Sequence, residues 1–202
     1  DECLNPLASQ TYTHSGGDDT APTLTGTPYT DATDYEACKA DAETTVPAWT
    51  QANAIMGYSD NCGAALTATL TNTATTGDDC AWTVTYTYTV FDECLNPLAS
   101  QTYTHSGGDH TDPTWTNEPA NMTVECDGTT DPGGAFAAWL TRFSGTDTCG
   151  TATVTYTSNG LSELCGATGS ETVTFTLTDE CNNSITKDAT FTVVDTTDPF
   201  WV

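Results

Sequence analysis

Positive charge is nearly absent from this sequence. Lys39, Arg142 and Lys187 are the only strong bases among 202 residues, against 28 acids, and the formal charge is −25. Such a chain repels nucleic acid and anionic membranes and attracts divalent cations. No apolar run is long enough to span a bilayer, and no secretory signal peptide is present. No CxxC pair occurs and the three His are scattered, so the nine cysteines do not make a zinc motif. Near His14, His105 and His110 no Ser or Cys nucleophile with an orienting acid is legible, and a surface role is expected for all three. The chain reads as non-catalytic.

What the sequence has instead is internal repetition, which decides architecture before any local pattern does. Asp1–Asp18 (DECLNPLASQTYTHSGGD) recurs verbatim at Asp92–Asp109, and a diverged copy, DECNNSITKDATFTVVD, begins at Asp179. The period of about 90 residues is the size of a β-sandwich domain, not of a solenoid coil. The expected layout is the end of one repeat at 1–18, full repeats at 19–109 and 110–197, and the start of another at 198–202. The chain is thus expected to be an excerpt of a longer tandem array. Similar links, DDTAP, DHTDP and DTTDP, join the repeats at Asp18–Pro22, Asp109–Pro113 and Asp195–Pro199. Their prolines make them short and stiff. Each is followed by an apolar anchor: Leu24, Trp115, and Phe200 with Trp201.

Strict alternation marks the strands. In TVTYTYTVF (Thr83–Phe91), Val84, Tyr86, Tyr88 and Val90 share one face and the threonines the other. In TVTFTLT (Thr172–Thr178), Val173, Phe175 and Leu177 face inward. Threonine suits the wet face because its β-branch fits the pleat. One region per repeat lacks alternation. There Trp49, Ala52 and Ile55, and Phe136, Trp139, Leu140 and Phe143, recur at three- and four-residue spacing and predict a short helix. The fold class is all-β: tandem antiparallel immunoglobulin-like sandwiches, each with a helical or irregular crossover, end to end as a rod. Isolated Thr arrays this far apart do not make the flat face of an ice-binding solenoid.

Cysteines fall at four matching positions per repeat: Cys38, Cys62, Cys80 and Cys94, then Cys126, Cys149, Cys165 and Cys181, with Cys3 matching Cys94. They indicate disulfides and an oxidising compartment. Cys80 and Cys94 flank one strand whose ends lie roughly 45 Å apart at about 3.3 Å per residue, far beyond the ~5.5 Å that a bridge spans. Strand direction then places Cys62 and Cys94 at the near end of the repeat, and Cys38 and Cys80 at the far end. The expected bridges are Cys38–Cys80, Cys62–Cys94, Cys126–Cys165 and Cys149–Cys181, each worth about 3–4 kcal/mol through loop closure.

The same topology gathers acids at each junction: Asp18, Asp19, Asp60, Asp92 and Glu93 for the first repeat, Asp109, Asp112, Asp147, Asp179 and Glu180 for the second. Carboxylates so crowded repel one another, and two readings stand side by side: a calcium ion, which takes six to eight oxygens, relieves the repulsion, or the acids are solvated turn residues. No DxDxDG loop is present.

The segments Pro119–Asp127, Thr146–Gly150, Leu164–Gly166, Thr172–Ser184 and Thr190–Pro199 together read PxNxTVECD…TDTCG…LCG…TVTFTLTDECNNS…TFTVVDTTDP. This pattern resembles the HYR-type immunoglobulin-like repeats of giant Bacteroidota cell-surface adhesins, a group that includes the SprB-type adhesins of gliding bacteria. The first repeat is looser, with YEAC in place of VEC. The resemblance implies an extracellular, cell-surface location and a structural stalk in adhesion or gliding motility. Its partners would be neighbouring repeats of the same chain, with a surface or glycan ligand held by other parts of the protein and no direct membrane contact. It also implies O-glycosylation at the Asp-Thr pairs, on Thr20 and Thr196. The alternative function is a carbohydrate-binding module built on tryptophans such as Trp49 and Trp82.

Overall fold

The computed structural model describes residues 10–63, 65–162 and 167–198. Cys3, Cys165, Phe200 and Trp201 lie outside the described residues, and with them the expected Cys126–Cys165 bridge. The elements in chain order are β1 (Thr23–Leu24), β2 (Asp34–Glu36), α1 (Ala42–Thr45), α2 (Gln51–Ala54), β3 (Tyr58–Ser59), β4 (Thr67–Gly77), β5 (Trp82–Phe91) and β6 (Pro97–Gly108). The second repeat supplies β7 (Thr114–Asn117), β8 (Met122–Glu125), α3 (Ala135–Leu140), β9 (Ser144–Thr146), β10 (Thr153–Thr157), β11 (Gly169–Thr178) and β12 (Ser184–Val194). The fold is mostly β in several sheets, as an all-β sandwich requires. Two four-stranded sheets run β2-β6-β5-β4 and β10-β11-β12-β8, and two short ribbons pair β1 with β3 and β7 with β9. Among the described residues no helix is long and apolar enough to cross a membrane.

The sheets are not wholly antiparallel. β8 lies parallel to β12 (Met122 opposite Phe191) and β2 parallel to β6 (Asp34 opposite Ser106). The first strand of a repeat leaves one link and runs toward the next, in the same sense as the last strand, so the two pair parallel.

Alternation in the sequence becomes alternation of burial. Trp82, Val84, Tyr86, Tyr88 and Val90 are buried along β5, and Val173, Phe175 and Leu177 along β11. The opposite faces are laced by hydroxyls: Thr172 with Thr190 at 2.9 Å, and Thr174 donating to Asp188 at 2.6 Å. Contact density divides the chain into two compact units. One comprises Asp1–Asp31, Trp49–Thr73 and Thr85–Tyr103; the other comprises Ala32–Ala48, Ala74–Val84 and Thr104–Val202. The division falls within β4, β5 and β6 and so differs from the repeat boundaries.

In the first unit, Tyr86 and Tyr88 pack on Tyr103, whose hydroxyl accepts from the Thr50 amide at 3.1 Å. The helix expected around Trp49 is only the four-residue α2; α1 belongs to the second unit and ends at Val46, which Pro47 holds extended (ψ 156°). α2 is capped by Thr50 and buries Ala54 instead of the anticipated Ala52. Leu24, expected as an anchor, is 49% exposed.

In the second unit, α3 matches expectation. Phe136 and Trp139 are buried on it and Phe143 beyond it, against Phe175 and Phe191, with Trp115 packed alongside. Asp131 caps α3 through the Phe136 amide at 2.7 Å, and Gly134 before it sits at φ 73°. His105 is a correction: it is buried, edge-on to Tyr35. β6 extends further than a strand end beside a loose link would, and β2 covers it. Gly107 follows because a Cβ there would stand 2.2 Å from the Tyr35 carbonyl and 2.3 Å from the Trp82 ring.

Leu95 carries strain. Its φ is 68°, and Asn182 at the matching position has φ 69°. The left-handed region costs a β-carbon residue about 1–2 kcal/mol, which asparagine partly escapes. Leu95 is 73% exposed and packs on little. Leu95→Asn is therefore expected to stabilise the chain by about 0.5–1 kcal/mol, read as a higher urea midpoint; an unchanged or lower midpoint would refute this.

Candidate functional site

The link regions hold the site, and each is built from three segments. In the first compact unit, the turn after β5 begins at Asp92. Its carboxylate accepts from the Asn96 amide at 2.8 Å and from the Asn96 side chain at 2.6 Å. The same Asn96 side chain reaches the Asp18 carbonyl at 3.1 Å and so ties the turn to the link. Asp60 closes the neighbouring SDNC turn by accepting from the Cys62 amide at 2.8 Å. Oxygens of Asp18, Asp60 and Asp92 all lie within 4.8 Å of one another. Asp60 Oδ1 is buried with no hydrogen-bond partner.

The second compact unit repeats this nearly bond for bond. Asp179 accepts from the Asn183 amide and side chain, each at 2.9 Å, and Asn183 reaches the Asp109 carbonyl at 3.1 Å. Asp147 accepts from the Cys149 amide at 2.7 Å. Asp109, Asp147 and the Cys149 sulfur lie within 4.8 Å of one another. Asp109, Asp92 and Asp179 are all buried. Burial first, then the charges of Asp147 and Asp179, push the Asp109 carboxyl above its ordinary range, although Thr111 donates to it. Asp92 moves the other way: burial raises it, but the bonds from Asn96 and from the Cys94 and Leu95 amides outweigh that. The charge of Asp18, then slight desolvation, Asp60, Cys94 and Asp92, push the Cys62 thiol up.

Of the anticipated acids, Asp18, Asp60 and Asp92 are brought together in one cluster and Asp109 and Asp147 in the other, with Asp179 tied to the Asp109 carbonyl through Asn183. Asp19 and Asp112 are exposed and outside these groups. Glu93 lies over Gly63, and Glu180 over Gly150, where it accepts from Thr151. Thr20 is exposed, and its amide donates to Asp18 at 3.1 Å. Thr196 is exposed, with its hydroxyl donating to Glu125 at 2.9 Å.

Two kinds of residue escaped the sequence reading. Asn96 and Asn183, the fifth letter of each DECxN, tie turn to link. Glu36 and Glu125 clamp the link that follows. Glu36 accepts from the His110 amide at 3.0 Å and the Thr111 hydroxyl at 2.9 Å; Glu125 accepts from the Thr196 amide at 2.6 Å. The Thr196 amide, followed by the hydroxyls of Thr196 and Thr197, holds Glu125 below its ordinary range. A glutamate one or two residues before the first cysteine of each repeat was the available signal.

The bridges correct the expected pairing. Cys38 joins Cys149 and Cys80 joins Cys181, each with Cα atoms 5.0 Å apart. Cys38–Cys80 and Cys149–Cys181 are therefore not formed, and Cys62 and Cys94 are free thiols, as is Cys126. The assignment of ends survives: the Lys39 amide donates to Asp79 at 2.8 Å, so the Cys38 and Cys80 segments do meet. What strand direction could not supply is the partner. All four cysteines converge on the link Asp109–Pro113, and the bridges run across it, from one sequence repeat to the next, inside the second compact unit. Compared with known proteins, the chain matches no family model and no curated protein.

Proposed function

We propose that the chain is a non-catalytic stalk segment of an extracellular, cell-surface adhesin filament, extending an adhesive or motility element and carrying tension. The observation that supports this most is the pair of bridges joining successive sequence repeats, Cys38–Cys149 and Cys80–Cys181. Covalent links across a repeat junction resist separation under load, and they suit an oxidising compartment. A carbohydrate-binding module has less support. Trp82 and Trp139 are 1% exposed, and a surface cleft bounded by Lys39, Ala40, Glu43, Thr44, Thr75 and Asp79 has no aromatic wall for a sugar ring. Antibody raised against the chain should label filaments on intact cells of the native host. Labelling only after lysis would overturn the stalk reading, and binding to a glycan array would favour the module.

Calcium belongs to the same reading. Asp18, Asp60 and Asp92 form an all-oxygen donor set suited to a hard cation, and the unbonded Oδ1 of Asp60 is a free ligand atom within it. In the second cluster the Cys149 sulfur is bound to Cys38, leaving Asp109 and Asp147 with Asp179 nearby. When bound, the ion would neutralise these charges and hold turn and link together.

The pH dependence has a definite sign. Asp109 has a raised pKa in the folded state, so without calcium its ionisation removes stability as pH rises from the ordinary carboxylate range through that raised value. Calcium should cancel this loss. Asp109→Asn is expected to raise the melting temperature in chelator and to reduce the gain on adding calcium, while Asp60→Asn reduces the gain alone. Differential scanning calorimetry with and without millimolar calcium reads both, and a melting temperature indifferent to calcium in the unaltered chain would end the calcium proposal.

A further inference from the structure

The two bridges set a rule that the remaining described cysteines are placed to follow. Cys149 and Cys181, at the near end of the second repeat, each take a partner from the far end of the repeat before: Cys38 and Cys80. Cys62 and Cys94 are their sequence matches at the near end of the first repeat, and both are exposed and free.

Their surroundings are the same. The Cys62 amide is held by Asp60 at 2.8 Å as the Cys149 amide is by Asp147 at 2.7 Å. Asn96 reaches Asp18 as Asn183 reaches Asp109, both at 3.1 Å. Leu95 and Asn182, next to the fourth cysteine, share φ values of 68° and 69°. Among the described residues, this end thus shares the turn and link bonds of the Cys149–Cys181 end.

The far end of the second repeat is likewise built as the far end of the first. β8 pairs parallel with β12 as β2 does with β6, and Glu125 clamps Thr196 as Glu36 clamps His110 and Thr111. The free Cys126 sulfur lies within 4.8 Å of an Asp195 oxygen, beside the link that follows its repeat. One difference is local: Ala37 separates Glu36 from Cys38, whereas Cys126 directly follows Glu125.

We propose that the Cys62–Cys94 end is a covalent docking face for the far end of the second repeat of another copy of this chain, Cys62 bonding the free Cys126 thiol. The interface is heterologous, so copies add head to tail and do not pair like to like. Each bridge forms by thiol–disulfide exchange with a low-molecular-weight disulfide. Two protein thiols give up two protons and two electrons, and the small disulfide becomes two thiols. The inference rests on reading the repeats as successive links of one stalk.

The test uses the 202-residue chain with Cys3→Ser and Cys165→Ser, which leaves Cys62, Cys94 and Cys126 outside the two bridges. The chain is incubated at high concentration with oxidised and reduced glutathione. A reducible ladder of dimers and higher oligomers is expected on non-reducing gels, with Cys62–Cys126 peptides found by mass spectrometry. Adding Cys126→Ser should abolish that ladder while Cys38–Cys149 and Cys80–Cys181 persist, which shows the fold intact. Monomers with Cys62 bridged to Cys94, or like-to-like Cys62–Cys62 and Cys126–Cys126 links, would overturn the docking face. Either result leaves filament labelling on cells, and so the stalk reading, to stand or fall separately.

Discussion

Reducing the two disulfides is expected to lengthen the fully stretched chain by roughly 370 Å, at about 3.3 Å per residue. The Cys38–Cys149 bridge removes the 111 residues between its ends from the path that carries force, and reduction returns them. A single-molecule pulling experiment with handles at the termini reads this length directly. The Cys38→Ser variant gives the sharper result. It leaves Cys80–Cys181, which still takes 101 residues out of the path, so the variant should gain only roughly 30 Å at the same length per residue. Replacing Cys38 and Cys80 together should give the full length without reductant. A large gain from Cys38→Ser alone, or mapped peptides joining Cys38 to Cys80, would overturn the cross-repeat pairing.

The bridges also set stability. Closing loops of 111 and 101 residues constrains the unfolded chain by about 4–5 kcal/mol for one bridge in the chain-entropy account. The second adds less, because the first has already shortened the loop it closes. The value for one bridge exceeds that for the 30–45-residue loops expected from in-repeat pairing only slightly, since the entropy grows with the logarithm of loop length. The mechanical effect therefore distinguishes the pairings far better than a melting curve does.

Trp139→Ala is expected to cost about 3–5 kcal/mol in urea unfolding of the oxidised chain. The ring is 1% exposed and stands 5.3–6.0 Å from the centroids of Phe136, Phe143, Phe175 and Phe191. Its removal opens a cavity at the centre of the second unit's core, and α3 and Phe143 cannot follow it inward without leaving β11. The indole nitrogen also donates to the Ala120 carbonyl at 2.9 Å, a bond that ties the approach to β8. Trp139→Phe keeps most of the packing and loses that bond, so a smaller cost of about 1–3 kcal/mol is expected. A cost for Trp139→Ala below about 1 kcal/mol would mean that the core collapses around the gap.

Much of the fold was written in the sequence because its signals are local. The period-2 alternation of Thr83–Phe91 and Thr172–Thr178 assigned the inward faces of β5 and β11 correctly, since a strand turns each successive side chain to the opposite face wherever it lies. The spacing of Phe136, Trp139, Leu140 and Phe143 located α3, because a helix brings residues three and four apart onto one face. Strand direction even placed Asp18, Asp60 and Asp92 at one end. The helix around Trp49 came out short, because the apolar spacing ignored what Pro47 does to the residue before it. His105 was misjudged because nothing in THSGG tells that β2 will lie over it.

The partners of the cysteines were decided only by tertiary structure. The sequence determined which cysteines share an end, but at the link Asp109–Pro113 the far end of one repeat meets the near end of the next. Cys38, Cys80, Cys149 and Cys181 then all come within reach of one another. Which pair forms depends on which Cα atoms stand about 5 Å apart. That distance is set by how Glu36 and Asn183 fold the link between the repeats, and no pattern within a single repeat contains it.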